Sequence, residues 1–387
     1  MIWLSLCIPI LGTIVLYIWF EHQMRMWAFL LPIICSITFI ACFKAIVQKI
    51  QVSSTEYLGN LSVKAQYYEP WETWKMETCS RQVPDGTDSK GNTTYRTEYY
   101  DCSYCDYHSA KFCLVDGAGN EFSISEEKFN NLKQRWHSTP KFINLGRHIN
   151  YSGGCGRDGN LYEVYWDNQI LTSVATVKKH FYENRIKCTP SSFSYPKVTK
   201  AEKLMYGLYD YPEIDNYTQK AILGSEQFQW ITKTDEDTAE TKAQYLCGYY
   251  GPQKQMKLWV LLFKNKPSIS ADMQEALWVN GNKNEVVVCV GIDSLSKKLQ
   301  WVKAFSWTPN KTMLVNIRED LMNCKTYDFK AFYPILNEDL QFFSRKHFKE
   351  FNYITVEPPA WCTFVTFIVV LIITVVCSYF SLKKKGS

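Results

Sequence analysis

Three long apolar stretches dominate the pattern of hydrophobic and polar positions along this chain. Residues 2–20 and 26–43 carry no charge, and neither do residues 361–382. The hydrocarbon core of a bilayer takes about 20 apolar residues per helix, so each stretch is long enough to span it. The pattern therefore predicts transmembrane helices over residues 1–20, 26–47 and 361–382.

Only five residues join the first two predicted helices, and such a short loop connects antiparallel neighbours, so we expect a helical hairpin. Three crossings leave residues 48–360 on one side of the membrane and place the short loop and the tail, residues 383–387, on the other. The positive-inside rule assigns the basic tail to the cytoplasm and the large middle region to the exoplasmic side, which in a bacterium is the periplasm. The residues predicted for the membrane interface are Arg25, Trp361, Tyr379, Lys383, Lys384 and Lys385.

Two other interpretations of the apolar stretches stay open. Such a stretch can be the buried core helix of a soluble protein, although core helices rarely run this far without a charge. The first stretch can also be a cleaved signal peptide, but no basic residue precedes it. A retained multi-pass anchor with three spans accounts for the length and composition of all three stretches.

Between the predicted spans, residues 48–234 have the pattern of β-structure. Tyr, Trp, Thr and Val are frequent there, and clusters of Gly and Asp separate short runs. Runs on either side of polar turns predict one hairpin within residues 74–102 and a second within residues 111–125. Ser123 and Glu126 have the spacing of a capping box, so a short helix is expected to follow the second hairpin.

Residues 235–356 show a different pattern, in which helical and strand periods alternate. The continuous apolar runs 258–263 and 286–292 are typical of strands covered on both faces, and a helical stripe at 269–277 lies between them. The element order predicts a small α/β layer with a parallel first crossover, and Asn337 can cap a final helix. The predicted fold is an α+β membrane protein: an N-terminal transmembrane hairpin, a β-rich region, this α/β layer and a C-terminal transmembrane helix.

The composition indicates a folded chain and excludes one class of partner. Apolar residues make up 46% of the 387 positions and aromatic residues 16%, which is ample for packed cores. The net charge is +5, and three terminal lysines supply +3 of it, so the rest of the chain carries only +2. This weak basic excess argues against nucleic-acid binding.

Cysteines are the most suggestive chemical feature, because the chain has 14 of them. The cluster of interest comprises Cys79, Cys102, Cys105, His108 and Cys113. Cys102 and Cys105 form a C-x-x-C pair, and with His108 they offer ligands that zinc takes in tetrahedral sites. An exoplasmic location instead favours disulfides, and the predicted hairpin brings Cys79 beside Cys102. We expect disulfides ahead of zinc or free thiols, and we expect no other cofactor.

The remaining motifs carry weaker signals. Residues 154–159 match G-x-G-x-x-G, but a strand-like run follows where a dinucleotide site needs a helix, so we predict a hairpin turn. Cys155 in this turn has only His148 as a nearby base and no third partner for nucleophilic catalysis. Asp293 follows a predicted buried strand, which is typical of ligand-binding carboxylates and, more commonly, of turns.

Several short motifs occur together over residues 55–380. They are W-E-T-W with C-S-R in 71–81, Y-Y-D-C-S-Y at 99–104, S-I-S-E-E at 123–127, N-K-N-E at 282–285 and T-V-E-P-P at 355–359. In this combination the chain resembles a group of uncharacterised membrane-anchored proteins encoded by tailed phages and some bacteria. The resemblance implies a bacterial or phage-infected host membrane, and it transfers no activity and no catalytic residue.

Two classes of function are compatible with these features. The first is a non-enzymatic module held at the lipid bilayer, which binds an envelope protein or stabilises an assembly and exposes Tyr or Trp patches. The second is a membrane-anchored envelope enzyme, either a zinc-dependent hydrolase or a thiol oxidoreductase, that uses Cys102, Cys105 and His108. No nucleophile, base and orienting group converge in the sequence, so we expect the binding or structural module.

Overall fold

A computed structural model of the chain describes residues 2–19, 26–133, 141–143, 155–156, 159–165, 174–188, 197–214, 220–278 and 283–383. The chain forms two compact units. Unit 1 combines residues 1–56, 180–196 and 346–387, and unit 2 combines residues 57–179 and 197–345. The loop predicted between the first two spans lies outside the described residues.

The described residues form both helices and strands, in agreement with the predicted α+β class. The helices are α1 (Cys7–Trp19), α2 (Met26–Val52), α3 (Glu126–Lys133), α4 (Lys200–Tyr206), α5 (Lys233–Lys254), α6 (Ile269–Leu277), α7 (Lys311–Asn323), α8 (Phe329–Leu340) and α9 (Ala360–Lys383). The strands are β1 (Ser53–Tyr68), β2 (Trp71–Lys75), β3 (Thr78–Thr87), β4 (Thr93–Asp101), β5 (Tyr104–His108), β6 (Lys111–Asp116), β7 (Glu121–Ile124), β8 (Lys141–Ile143), β9 (Leu161–Tyr165), β10 (Ala175–Glu183), β11 (Ile222–Leu223), β12 (Lys257–Lys264), β13 (Glu285–Ile292) and β14 (Leu299–Ser306).

Apolar helices lie near both ends of the chain, as predicted. Two of them are long and apolar enough to cross a bilayer, by length and composition: Leu30–Val52 within α2 and Ala360–Tyr379 within α9. Ile2–Val15 is a shorter apolar helix. Helix α2 continues to Val52, so residues 48–52, which we predicted to begin the β-rich region, are helical instead.

Within unit 1, helices α1, α2 and α9 pack against one another. Ile40, Val47, Cys362 and Val370 are buried at their contacts. Gly12 lies at a close approach of α1 to α9, because a Cβ added there would be 3.2 Å from Cγ2 of Thr374. Small residues at such contacts are typical of helices that associate in lipid.

This helical bundle buries hydroxyl groups and exposes large apolar side chains. Its buried hydroxyl residues are Ser5, Thr13, Ser36, Thr366, Thr374 and Ser378. The hydroxyls of Thr13, Thr366 and Thr374 each donate to the carbonyl oxygen four residues earlier, at 2.6–2.7 Å. The exposed apolar side chains include Leu11, Ile14, Ile34, Leu371, Ile372 and Val375. Water makes such an outer surface costly, whereas hydrocarbon does not.

Unit 2 contains two larger sheets, the first of which is antiparallel. Its strand order is β7-β6-β1-β9-β8, with β10 also paired to β1. Helix α3 covers this sheet through Phe129 and Leu132. The helix begins where we predicted, but a different serine caps it. The hydroxyl of Ser125, and not that of Ser123, accepts a hydrogen bond from the amide of Lys128 at 3.2 Å.

The second sheet is the predicted α/β layer. Its order is β11-β12-β13-β14, in which the first three strands are parallel and the last is antiparallel. The predicted parallel crossover is therefore present, as β12-α6-β13. Side chains of β12 alternate between the two covered faces: Leu258, Val260 and Leu262 pack with α5, α7 and α8, whereas Trp259, Leu261 and Phe263 pack with α6.

Two contacts of helix α5 position this layer. The carboxylate of Glu240 accepts hydrogen bonds from the amides of Ala221 and Ile222, at 2.5 and 3.0 Å, beside the edge strand β11. Farther along the helix, Gly251 lies directly against β1, and a Cβ added to it would overlap the carbonyl oxygen of Gly59. Only glycine permits this approach of a helix backbone to a strand backbone.

The final helix was predicted in the wrong place: we expected it to follow Asn337, but α8 spans Phe329–Leu340 and ends three residues after Asn337. Helix α8 is capped by Asp328, whose carboxylate accepts from the amide of Lys330 at 2.9 Å. Asn337, which we predicted as the N-cap, lies inside α8 and its carbonyl oxygen accepts from the hydroxyl of Tyr250 at 2.6 Å.

Candidate functional site

Two disulfides brace the region that holds most of the cysteines singled out from the sequence. Cys79 and Cys102 form one, with Cα atoms 5.8 Å apart, as the predicted hairpin required. Cys105 and Cys155 form the other, also with Cα atoms 5.8 Å apart. The bridges close loops of 23 and 50 residues. Loops of this length correspond to about 3–4 kcal/mol of stabilisation per bridge in the chain-entropy account.

The strands β3 and β4 form a two-stranded ribbon that is exposed along almost its whole length. An isolated hairpin of this kind is marginally stable in water. The Cys79–Cys102 bridge at its base and a turn organised by Asp88 hold it: the Asp88 carboxylate accepts from the amides of Lys90 and Asn92 at 2.8 and 2.9 Å. These hydrogen bonds lower the pKa of Asp88.

One face of the ribbon carries two exposed tyrosines, and its only charged residue is Asp101 at the base of the ribbon, opposite Thr78. The pairing register places Tyr95 opposite Pro84, Thr97 opposite Gln82, and Tyr99 opposite Ser80. We call these six residues the tyrosine face, because opposite residues of an antiparallel pair lie on one side. Tyr95 is 61% exposed and Tyr99 is 73% exposed.

The opposite face of the ribbon is charged. Arg81 pairs with Glu98 at 2.8 Å, and its guanidinium lies 5.5 Å from the ring centre of Tyr100. Arg96 lies 3.8 Å from the carboxylate of Asp85. The alternation of strand side chains therefore separates a surface with charged pairs from the tyrosine face, whose six residues carry no charge.

The residues considered for zinc are not gathered at one point. Cys105 and His108 are three positions apart on strand β5, so their side chains leave opposite faces of the strand. The imidazole of His108 stacks on Trp71 with ring centres 4.8 Å apart, and its Nε2 contacts the hydroxyl of Thr73. Asp106 approaches the same nitrogen, at 3.9 Å. A catalytic relay needs the two partners on different ring nitrogens.

Cys113 lies apart from the bridged cysteines. Its side chain is fully buried, its Sγ is 3.7 Å from Oε1 of Gln66, and burial raises its pKa to about 12. Another group of donors does converge among the described residues: Glu72, Cys105 and Cys155 have ligand atoms within 4.8 Å of one another. Both sulfurs of that group are in a disulfide, and structural zinc takes four ligands.

The predicted interface residues are described only in part. Trp361 and Tyr379 are both exposed on α9, and their separation of 379 − 361 = 18 positions corresponds to about 27 Å of helix. That length is close to the hydrocarbon thickness of a bilayer, about 30 Å. Lys383 ends helix α9. Arg25, Lys384 and Lys385 lie outside the described residues.

A buried lysine that we did not predict lies at the start of β12. Lys257 is 1% exposed, and its ammonium lies 3.7 Å from the ring centre of Trp259, 5.3 Å from that of Tyr57 and 5.9 Å from that of Tyr211. Glu285, opposite it on β13, accepts hydrogen bonds from Trp259 and Tyr211. Burial lowers the pKa of Lys257 to about 8 against the attraction of Glu285.

Comparisons with known proteins add no assignment to this geometry. No protein-family model matches the chain, and neither a curated protein nor a solved structure matches it.

Proposed function

We propose that the protein is an integral membrane protein whose large region is a recognition module, which binds an envelope protein at the bilayer surface. The observation that carries the proposal is the tyrosine face of the ribbon. Tyrosine supplies a large contact area at a low cost in side-chain entropy, and it is enriched in protein interfaces. Bracing by a disulfide reduces the ordering cost further.

The contrast between the two ribbon faces defines the chemistry of the partner. On the charged face, Arg81 and Glu98 already satisfy each other. The tyrosine face presents aromatic rings, hydroxyls and one amide, without a charge. We therefore expect a protein surface that is partly apolar, with polar groups at its rim and no strong charge of either sign.

For topology, we propose three spans, an exoplasmic recognition region and a cytoplasmic tail. The bundle of α1, α2 and α9 supports this arrangement through its apolar outer surface. The disulfides support the exoplasmic side independently, because disulfides persist in oxidising compartments and are rare in the cytosol. The resemblance to membrane-anchored proteins of bacteria and their phages favours a bacterial envelope.

Topology is tested by labelling single cysteines in intact cells with a membrane-impermeant maleimide. A cysteine introduced at Leu295, which is highly exposed, reports on the recognition region, and one introduced at Ser387 reports on the tail. We expect labelling at position 295 in intact cells and at position 387 only after permeabilisation. The reverse pattern would overturn the proposed orientation.

Recognition is tested by placing a photo-crosslinking amino acid on one face of the ribbon at a time, in cells of the source organism. We expect one discrete protein adduct from position 99 on the tyrosine face, and none from position 96 on the charged face. The adduct from position 99 should disappear when Tyr95→Ser is added. Equal adducts from both faces, or none from either, would exclude the tyrosine face as the binding surface.

The alternative, an envelope enzyme using Cys102, Cys105 and His108, makes a different prediction about the thiols. With two bridges, four of the 14 cysteines are bonded and 14 − 4 = 10 react after denaturation without reductant. A zinc enzyme instead requires about one metal ion per chain and reduced Cys102 and Cys105. Thiol counting with elemental analysis of the purified full-length chain separates the two cases.

A further inference from the structure

A cavity of about 220 Å³ lies in unit 2, beside the end of strand β11 where helix α5 begins. Its walls come from the segment after β11, the first turns of α5, the loop after β13 and the start of α8. Strands β11 and β13 are both parallel to β12, so the cavity is at the carboxyl ends of parallel strands. Open α/β sheets bind their ligands at this edge.

One wall of the cavity is aromatic and includes a hydrogen-bond donor that is not used. The rings of Trp230 and Tyr327 have centres 5.9 Å apart. The indole nitrogen of Trp230 is buried, and it has no hydrogen-bond partner among the described residues. A buried N–H without an acceptor costs free energy, so a ligand that supplies an acceptor here would be favoured.

The acidic side chains of the cavity wall already have partners. Asp235 accepts from the hydroxyl of Thr232 at 2.7 Å, and Glu236 accepts from the hydroxyl of Ser225 at 2.7 Å. The hydrogen bond from Ser225 lowers the pKa of Glu236. Asp328 caps helix α8 through the amide of Lys330. These three carboxylates therefore have hydrogen-bond donors within the chain, and Glu236 also pairs with Lys233 at 3.3 Å, although Asp235 and Asp328 keep a negative charge that no ion pair offsets among the described residues.

The ammonium groups of the same wall have no such close polar partner among the described residues. Lys242, Lys297 and Lys330 line the cavity, and none of them has an ion pair within 4.0 Å in the part of the chain that the structure describes. Lys297 instead lies 4.9 Å from the ring centre of Trp230. The described wall thus offers a ligand three ammonium groups and one indole N–H.

We propose that this cavity binds a small anion that carries a planar aromatic ring. The ring packs on the aromatic wall, and the anionic group lies among Lys242, Lys297 and Lys330 and accepts from the indole of Trp230. This site is separate from the tyrosine face and does not depend on the proposed recognition function.

Three probes with the same ring and different charge test the proposal on the full-length protein in a mild non-ionic detergent. Indole-3-acetate is the anion, indole-3-acetamide the neutral analogue and tryptamine the cation. We expect saturable calorimetric binding of indole-3-acetate, with a Kd of about 1 mM or tighter, and at least fivefold weaker binding of the other two. No saturation with indole-3-acetate, equal binding of all three, or a preference for tryptamine would overturn the proposal.

Matched variants locate the binding. Lys297→Gln and Lys330→Gln should each weaken indole-3-acetate about five- to tenfold, which corresponds to one lost ion pair in a partly desolvated site. Trp230→Phe keeps a ring and removes the indole N–H, and it should weaken binding about fivefold. Lys298→Gln, next to Lys297 but not part of the cavity wall, should leave binding unchanged. Equal losses in the Lys298 and Lys297 variants would assign the binding to general surface charge.

Discussion

The helical bundle of unit 1 and the α/β layer of unit 2 distribute the same residue types in opposite ways. In the bundle, Thr366 and Thr374 are buried, while Leu371 and Ile372 on the same helix are half-exposed. In the α/β layer, strands β12 and β13 bury their apolar side chains, and Lys233, Asp235 and Asp237 of α5 are exposed. Both regions close-pack their interiors, but the surfaces that they offer to solvent differ.

The polar surface of the α/β layer suits water, whereas the apolar surface of the bundle is compatible with lipid. The removal of apolar area from water drives the folding of the α/β layer, because each Å² of apolar surface that is buried contributes about 25 cal/mol to stability. The bundle leaves large apolar side chains on its outside and gains stability from close helix contacts and internal hydroxyl hydrogen bonds, the terms that remain in lipid. The four predictions that follow would break or sharpen this contrast.

The largest effect is expected from an arginine on the outer surface of the bundle. Val376 on α9 is 44% exposed and Val315 on α7 is 46% exposed, so they form a matched pair. Val376→Arg should cost about 2–3 kcal/mol of membrane insertion, whereas Val315→Arg should change stability by less than about 0.5 kcal/mol. Carbonate extraction of membranes and thermal unfolding measure the two quantities. If Val376→Arg has no effect on membrane retention, the bundle does not face lipid.

The second prediction compares a methyl group added at two helix glycines, one packed against a strand backbone and one packed against a side chain of another helix. At Gly251 the new Cβ meets the backbone of Gly59, which cannot move aside, so Gly251→Ala should destabilise unit 2 by about 2–3 kcal/mol. At Gly12 it meets only the methyl group of Thr374 at 3.2 Å, so Gly12→Ala should stay within about 1 kcal/mol. Thermal unfolding in detergent compares them, and equal effects would contradict the tight helix–strand contact.

A neutral side chain in place of the buried lysine should stabilise the α/β layer. The fall of the Lys257 pKa from 10.5 to about 8 corresponds to about 3 kcal/mol. Ring contacts offset up to about 2 kcal/mol of that cost. Lys257→Met should therefore raise the free energy of unfolding by about 1 kcal/mol at pH 7, with exposed Lys264→Met as the neutral control.

The pH dependence of this gain has a definite sign. Between pH 8 and 10.5 the unfolded chain holds the Lys257 proton and the folded chain does not, so the stability of the unaltered protein rises with pH in this window. The advantage of Lys257→Met should shrink over the same window. An advantage that is constant from pH 7 to 10.5 would mean that Lys257 is not the group that titrates.

The smallest effect on stability is expected on the ribbon. Tyr99→Ser removes a ring that is 73% exposed, so the free energy of unfolding should change by no more than about 0.5 kcal/mol. Thermal unfolding measures this change. The same substitution should abolish the photo-adduct formed from position 95. A large loss of stability would reassign Tyr99 from recognition to folding.

Local patterns predicted the parts of the fold that depend on local physics. Strands β12 and β13 follow from apolar runs that only a doubly covered strand accommodates, and the β3–β4 ribbon follows from its polar turn. The Cys79–Cys102 bridge followed from that ribbon. By contrast, β11 has two residues and is too short to show any period.

The site was less predictable because its determinants are distant in sequence. Cys155 bonds to a cysteine 50 residues earlier, and no local feature marks that pairing. Cys105 and His108 have a spacing that a helix would place on one face, whereas a strand places them on two. Lys257 precedes an apolar run, a position that is typical of an exposed strand end. Its burial depends in part on Tyr57, which lies 257 − 57 = 200 positions earlier in the sequence.

The contact between Glu240 and the edge of the α/β layer has a consequence for biogenesis. An unpaired strand edge is a template on which a second chain can add a strand, and incompletely folded chains are especially exposed to such self-association. The carboxylate of Glu240 occupies the amides of Ala221 and Ile222 from within the same chain. Helix α5 therefore leaves these two amides unavailable to a strand from a second chain.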